Sequence, residues 1–180
     1  MNKAEERRLI KKCIRQDRLA QRMLYEQYKN AMFSTAYRIT SDYDLSHDVM
    51  QEGFIKVFKN LERFRGTGTL GSWIKTIIVR AAIRAVQGLH LHVEIEERTM
   101  DAEVRFDDNL TGQLLDELLL GLPDKCRVVF QLIEVEGYAH KEVAELLGIT
   151  TGTSKSQLHY AKRLLKEKLQ NRGYEHRKKG

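Results

Sequence analysis

Leu70, Trp73, Ile74, Ile77, Ile78, Ala81 and Ala85 recur at intervals of three and four over four turns. A chain buries such a set together only as one face of an α-helix. The same period returns upstream in Leu45, Val49, Phe54, Val57, Phe58 and Leu61. Earlier still, Leu19, Met23, Leu24, Tyr28, Met32, Ala36 and Tyr37 repeat it, which predicts that they face inward. Strand-like alternation is scarce, and Pro123 is the single proline in 180 residues. Helix is therefore seldom interrupted, and the sequence predicts an all-α protein.

The first ninety residues read as four helices. They run from about Ala4 to Gln16, from Asp17 to Ile39, from a cap at Asp44 to about Phe64, and onward from Leu70. The period then stops at QGLHLHVEIEERTMDAEVRFDDNLT, an acidic stretch expected to be a flexible linker over 89–111. A second helical block opens at Gly112 with the stripe Leu114, Leu115, Leu118 and Leu119. Pro123 suits the first turn of a following helix that carries Cys126, Val129, Phe130 and Ile133 and ends at Gly137. Two small helical domains follow, 1–88 and 112–180, joined by the linker.

Several chemistries are excluded at this level. Gly66, Gly68 and Gly71 match G-x-G-x-x-G, but a phosphate-cradling turn needs a strand before it, and a helical pattern stands there instead. His90 and His92 have no cysteine or third histidine nearby, so no metal site is predicted. No nucleophile–base set, paired carboxylates or cofactor motif is present, and the chain reads as a non-enzyme without cofactors. Cys13 and Cys126 lie on separate apolar stripes and are expected to be reduced core residues. The N-terminal MNKAEERRLIKK is too charged for a signal peptide, and no apolar run approaches the ~20 residues of a membrane span. A cytoplasmic protein without membrane insertion is expected. The net charge of +6 points to an anionic partner.

The stretch HKEVAELLGITTGTSKSQLHYAKRLLKEKL, 140–169, carries the strongest functional signal. A short helix runs into Gly148, which permits a left-handed turn; Ile149 plugs that turn, and Thr150 or Thr151 can cap a second helix. This is the layout of a DNA-reading helix-turn-helix. At about 100° per residue, Thr153, Ser156, Tyr160 and Arg163 lie opposite Leu158. His159 falls near the edge, and Lys155 and Gln157 flank the face with longer side chains. Hydroxyls, an amide and basic tips suit base edges and phosphates in a major groove.

With these residues in view, LPDKCRVVFQLIEVEGYAHKEVAELLGITTGTSKSQLHYAKRLLKEKL resembles the C-terminal domain of bacterial sigma factors of the extracytoplasmic-function type. DLSHDVMQEGFIKVFKNLERFRGTGTLGSWIKTIIV resembles their N-terminal domain, in the expected order. The resemblance implies a subunit that binds RNA polymerase core and directs it to promoters, the first domain melting and reading the −10 element and the second reading the −35 element. It assigns Asp48, Gln51 and Glu52 to docking on the coiled coil of the largest polymerase subunit. The glycine loop would hold a flipped base of the non-template strand, with Thr67 and Thr69 bonding to it and Lys75, Arg80 and Arg84 contacting −10 DNA. Where the family has Asn and then Asp four residues on, this chain has Arg80 and Arg84, two cations suited to phosphate. Gln157 and Tyr160 occupy positions that are often Arg. Promoter DNA and polymerase core are the implied partners, and the resemblance also allows an anti-sigma protein.

Two other readings remain open to test. A conventional dimeric helix-turn-helix regulator, with a sensing N-terminal domain, would bind duplex DNA tightly by itself. A nucleotide-dependent enzyme would need a strand before Gly66 and a bound cofactor.

Overall fold

The α-helices of the first unit each start where a short polar side chain can take up the first free amides. In the computed structural model, which describes residues 2–88 and 117–171, Asn2 accepts from the N–H groups of Ala4 and Glu5 at 3.0 and 2.9 Å. Glu5 accepts in turn from the Asn2 N–H at 2.9 Å, and this reciprocal pair begins α1, Lys3–Ile14. Asp17 caps α2, Arg18–Thr40, by accepting from Leu19 and Ala20, both at 3.0 Å. The third helix, α3, spans Tyr43–Asn60, and its cap is Asp42 rather than Asp44. Ser41 turns into the left-handed region at φ 55°, which leaves Asp42 extended with its carboxylate 2.8 Å from the Leu45 N–H. A 3-10 turn, Leu61–Arg63, follows, and after the glycine loop comes α4, Leu70–Gly88.

The chain divides into two compact units, with the boundary between Val86 and Gln87. In the first, α1 and α3 both pack on α2. Leu24 and Ile39 of α2, Val49 and Val57 of α3, and Leu70, Ile74 and Ile78 of α4 are all buried. Burying each such side chain contributes roughly 1.5–3 kcal/mol. Gly53 decides how closely α3 and α4 approach, because a methyl there would overlap Cδ1 of Ile78. Leu19 and Met23 contradict their expected place: they are 69% and 57% exposed. They lie on the side of α2 opposite Ala20, Leu24, Met32 and Ile39, which form its buried arc.

In the second unit, residues 117–120 are helical and Leu122-Pro123 breaks the chain. Pro123 stands as the cap residue just before α5, Asp124–Phe130. That helix then widens into a π-turn, Gln131–Val135, which the sequence pattern did not reveal. The widening leaves Gln131 and Leu132 buried and Ile133 only half-buried. Gly137, at φ 76°, leads to α6, His140–Leu147, and Gly148 to α7, Thr151–Asn171. Both α5 and α6 pack on α7, closing a core around Cys126, Val129, Leu132, Val143, Ala161 and Leu165. Among the described residues there is no strand. The expected linker, 89–111, and the helix start at Gly112 lie outside the described residues.

Candidate nucleic-acid and partner-binding surfaces

Three surfaces carry the residues singled out by the sequence, two on the first unit and one on the second. Along α3, Asp48, Gln51 and Glu52 are all exposed. Ile55, 53% exposed, shares their stripe and gives the acidic edge an apolar centre. Glu52 is ion-paired with Lys56 one turn on, so Asp48 and Gln51 are the more available members. At the start of α3, Tyr43 and His47 pack with Phe33 of α2, the three ring centroids lying 4.7–5.4 Å apart. The i, i+4 spacing of Tyr43 and His47 is the sign of that cluster in the sequence. An acidic and amide edge of this kind can pair with cations on a partner helix.

The glycine loop is entered from α3 and its 3-10 turn, so the strand that a nucleotide fingerprint requires is not there. Its glycines have different duties. Gly66 adopts φ 69°, a left-handed turn. Gly71 sits in the first turn of α4 against the Tyr28 ring, where a Cβ would stand 3.1 Å from Cε1. Gly71 therefore serves helix packing. Thr67 and Thr69 are exposed. The Thr69 hydroxyl oxygen accepts from the Ser72 N–H at 3.1 Å, and Ser72 Oγ donates to the Thr69 carbonyl at 2.9 Å. Thr69 thus caps α4 and keeps its own O–H as a donor. Phe64 packs against Trp73 with centroids 5.6 Å apart. Arg80 and Arg84 are exposed one turn apart, and Arg84 Nε donates to the Arg80 carbonyl at 3.2 Å. Lys75 is not gathered with them: it is half-buried and lies about 140° around the helix from Arg80.

The second unit forms the helix-turn-helix locally as expected. Gly148 takes φ 67°, its N–H donates to the Ala144 carbonyl, and Ile149 is half-buried behind it. Thr150 is the cap of α7, with Oγ1 accepting from the Thr153 N–H at 3.0 Å. Ser154 is fully buried and bonds to His140 Nδ1 at 2.9 Å, fastening the first helix of the motif to the second. Burial holds the His140 pKa below its ordinary value; Lys155 adds to this, Glu134 opposes it and Lys162 adds further. Lys162 pairs with Glu134 at 2.8 Å, which ties α7 to the π-turn.

On the outer side of α7, Lys155 and Arg163 are exposed, while Thr153, Ser156, His159 and Tyr160 are half-exposed. The Arg163 guanidinium lies 4.9 Å from the Tyr160 ring centroid. Gln157 departs from expectation. It is 3% exposed, and its Oε1 accepts from the Cys126 thiol at 2.9 Å. The buried arc of α7 is centred between Ser154 and Leu165, about 30° around the helix from Leu158, and Gln157 falls inside it. Among the described residues no cluster of metal-ligating side chains occurs, and His90 and His92 lie outside the described residues. Among the same residues no helix is long and apolar enough to cross a membrane.

Comparison with known proteins agrees with this geometry. The family model for sigma-70 region 2 matches residues 24–89, and that for sigma-70 region 4 matches 112–165. The chain is 25% identical over 178 residues to the ECF RNA polymerase sigma-E factor of Haemophilus influenzae, covering 90% of this chain and 94% of that one. It is 25% identical over 183 residues to the ECF RNA polymerase sigma factor SigW of Bacillus subtilis, covering 91% and 98%. Among solved structures, the fold is similar to the sigma factor RpoE of Bartonella quintana, solved in complex with the anti-sigma factor NepR. That match has a TM-score of 0.50 and 21% identity, covering 83% of this chain and 96% of that one. With both family regions present in order on two separate helical units, the chain belongs to the sigma-70 family, in its extracytoplasmic-function group, and is a non-enzymatic initiation factor that directs RNA polymerase to specific promoters.

Proposed function

We propose a division of labour between the two units. The first docks on polymerase core through Asp48, Gln51 and Glu52 and engages the −10 element through Thr67, Thr69, Arg80 and Arg84, with Lys75 contributing charge from the flank. The second reads the −35 element through Thr153, Lys155, Ser156, His159, Tyr160 and Arg163. Gln157 acts from within, setting the seat of α7 through Cys126. The helix-turn-helix built around Gly148 and the Thr150 cap is the observation that carries the reading. The exposed acidic edge of α3 supports the docking assignment, because α7 alone does not account for it.

The working compartment is the cytoplasm, where polymerase and promoters are. An anti-sigma protein is a further partner, in line with the Bartonella quintana sigma factor solved with NepR. The test combines this chain, purified core polymerase and genomic DNA fragments, with transcript starts mapped. Core-dependent starts that share two upstream elements are expected. Asp48→Lys with Glu52→Lys abolishes core capture, and Tyr160→Ala changes which starts are used while core capture persists. Unaltered core capture by the charge-reversed chain would contradict the docking assignment.

A further inference from the structure

Arg80 and Arg84 stand exposed on α4, four residues and about 6 Å apart along the axis. Like charges at that spacing work against the helix that holds them. Among the described residues, no carboxylate forms an ion pair with either one; the bond that organises them is from Arg84 Nε to the Arg80 carbonyl. That bond occupies Nε and leaves Arg84 its two terminal nitrogens, a fork that matches paired anionic oxygens. The half-buried Trp73, Thr76 and Ile77 continue the same stripe toward the glycine loop.

Of the four bases, the donors of this stripe match guanine alone, whose O6 and N7 both accept. Distinguishing adenine requires a donor and an acceptor side by side, as an amide supplies, whereas guanidinium groups offer donors alone. Thr76, the hydroxyl in the stripe, donates to the Ser72 carbonyl at 3.0 Å within its own helix. A phosphodiester presents acceptors only, and its charge answers the uncompensated pair. We infer that Arg80 and Arg84 form a phosphate-reading site that grips the backbone of the opened −10 strand by charge and leaves base identity to the glycine loop. This rests on the −10 assignment above and adds to it what the site recognises.

The test uses holoenzyme reconstituted from core polymerase and the full chain, on a promoter found by start mapping and pre-opened over its −10 segment. Each single-strand phosphate contact contributes ~0.7 to the salt slope of binding, so Arg80→Ala with Arg84→Ala lowers that slope by ~1.4. Between about 50 and 200 mM salt, the unaltered holoenzyme therefore loses about sevenfold more affinity than the doubly substituted one. Arg80→Lys with Arg84→Lys keeps the slope. Neutral methylphosphonate linkages in the non-template strand reproduce the alanine effect and add nothing to it, while the ranking of −10 base substitutions stays the same.

An unchanged slope in the alanine variant overturns the inference, and so does a slope change confined to strands with guanine at one position, which makes the pair a base reader. Matching thermal melts exclude a folding defect. A chain that yields no core-dependent starts even unaltered would sink the functional reading itself, a result distinct from an active holoenzyme with an unmoved slope.

Discussion

Gly148 holds a backbone conformation, φ 67°, that a Cβ opposes, and α6 and α7 meet through it. Gly148→Ala is expected to destabilise the second unit by about 1 kcal/mol, read as a lower urea midpoint at constant slope. His140 gives a second residue-level expectation. Its folded pKa lies below the ordinary 6.5, chiefly through burial and then through Lys155. The unfolded chain takes up the proton at a pH where the folded chain does not, so this contribution is complete above 6.5 and is lost as pH falls. Stability of the second unit should therefore drop from about pH 7 to 5, and His140→Asn should flatten that drop in pH-dependent urea melts. A steeper drop in the variant would refute the assignment.

At the scale of elements, the seating of α3 against α4 turns on one missing methyl. Gly53→Ala brings a Cβ into Ile78 Cδ1, in a site where Ile78 is fully buried. Shortening Ile78 to Val removes that δ-methyl at a cost of about 0.5–1.5 kcal/mol by itself. In the double variant the two changes should compensate, with a coupling of at least about 0.5 kcal/mol in a double-mutant cycle; strict additivity would contradict the contact.

Among the described residues helix existence was legible, because threes and fours in Leu70–Ala85 or Leu45–Leu61 admit one solution. What escaped was rotation and local stitching. Apolar spacing placed Leu19 and Met23 inward, yet α2 rotates its Ala20–Leu24 side to the core and leaves them in solvent. Gln157 looked like a DNA contact because an amide is polar; only the neighbouring Cys126 thiol reveals that it is satisfied inside. Thr69 and Asp42 show the same limit, since a cap is set by backbone direction at one residue and several nearby candidates look alike in the sequence.

For the whole molecule, a net charge of +6 draws any polyanion weakly, and that attraction fades with salt. The free chain should shift duplex promoter DNA only feebly at physiological salt, while added core polymerase produces tight, start-site-specific binding in the same gel assay. Tight binding by the free chain as a symmetric dimer would favour the conventional regulator instead. Reading the function at this scale took two family regions in order; either helical unit alone, with no chemistry of its own to display, left far more choices.

The chain has two cysteines and each unit holds one, Cys13 on α1 and Cys126 on α5, both buried and free. Burial pushes both thiols up to about 11, with Asp17 reinforcing the effect at Cys13. Neither carries appreciable thiolate near neutrality, so alkylating dyes and peroxides find little to attack until a unit opens. With one sulfhydryl per body, a Cys13→Ser or Cys126→Ser chain turns dye uptake into a clock for the opening of the body that keeps its cysteine.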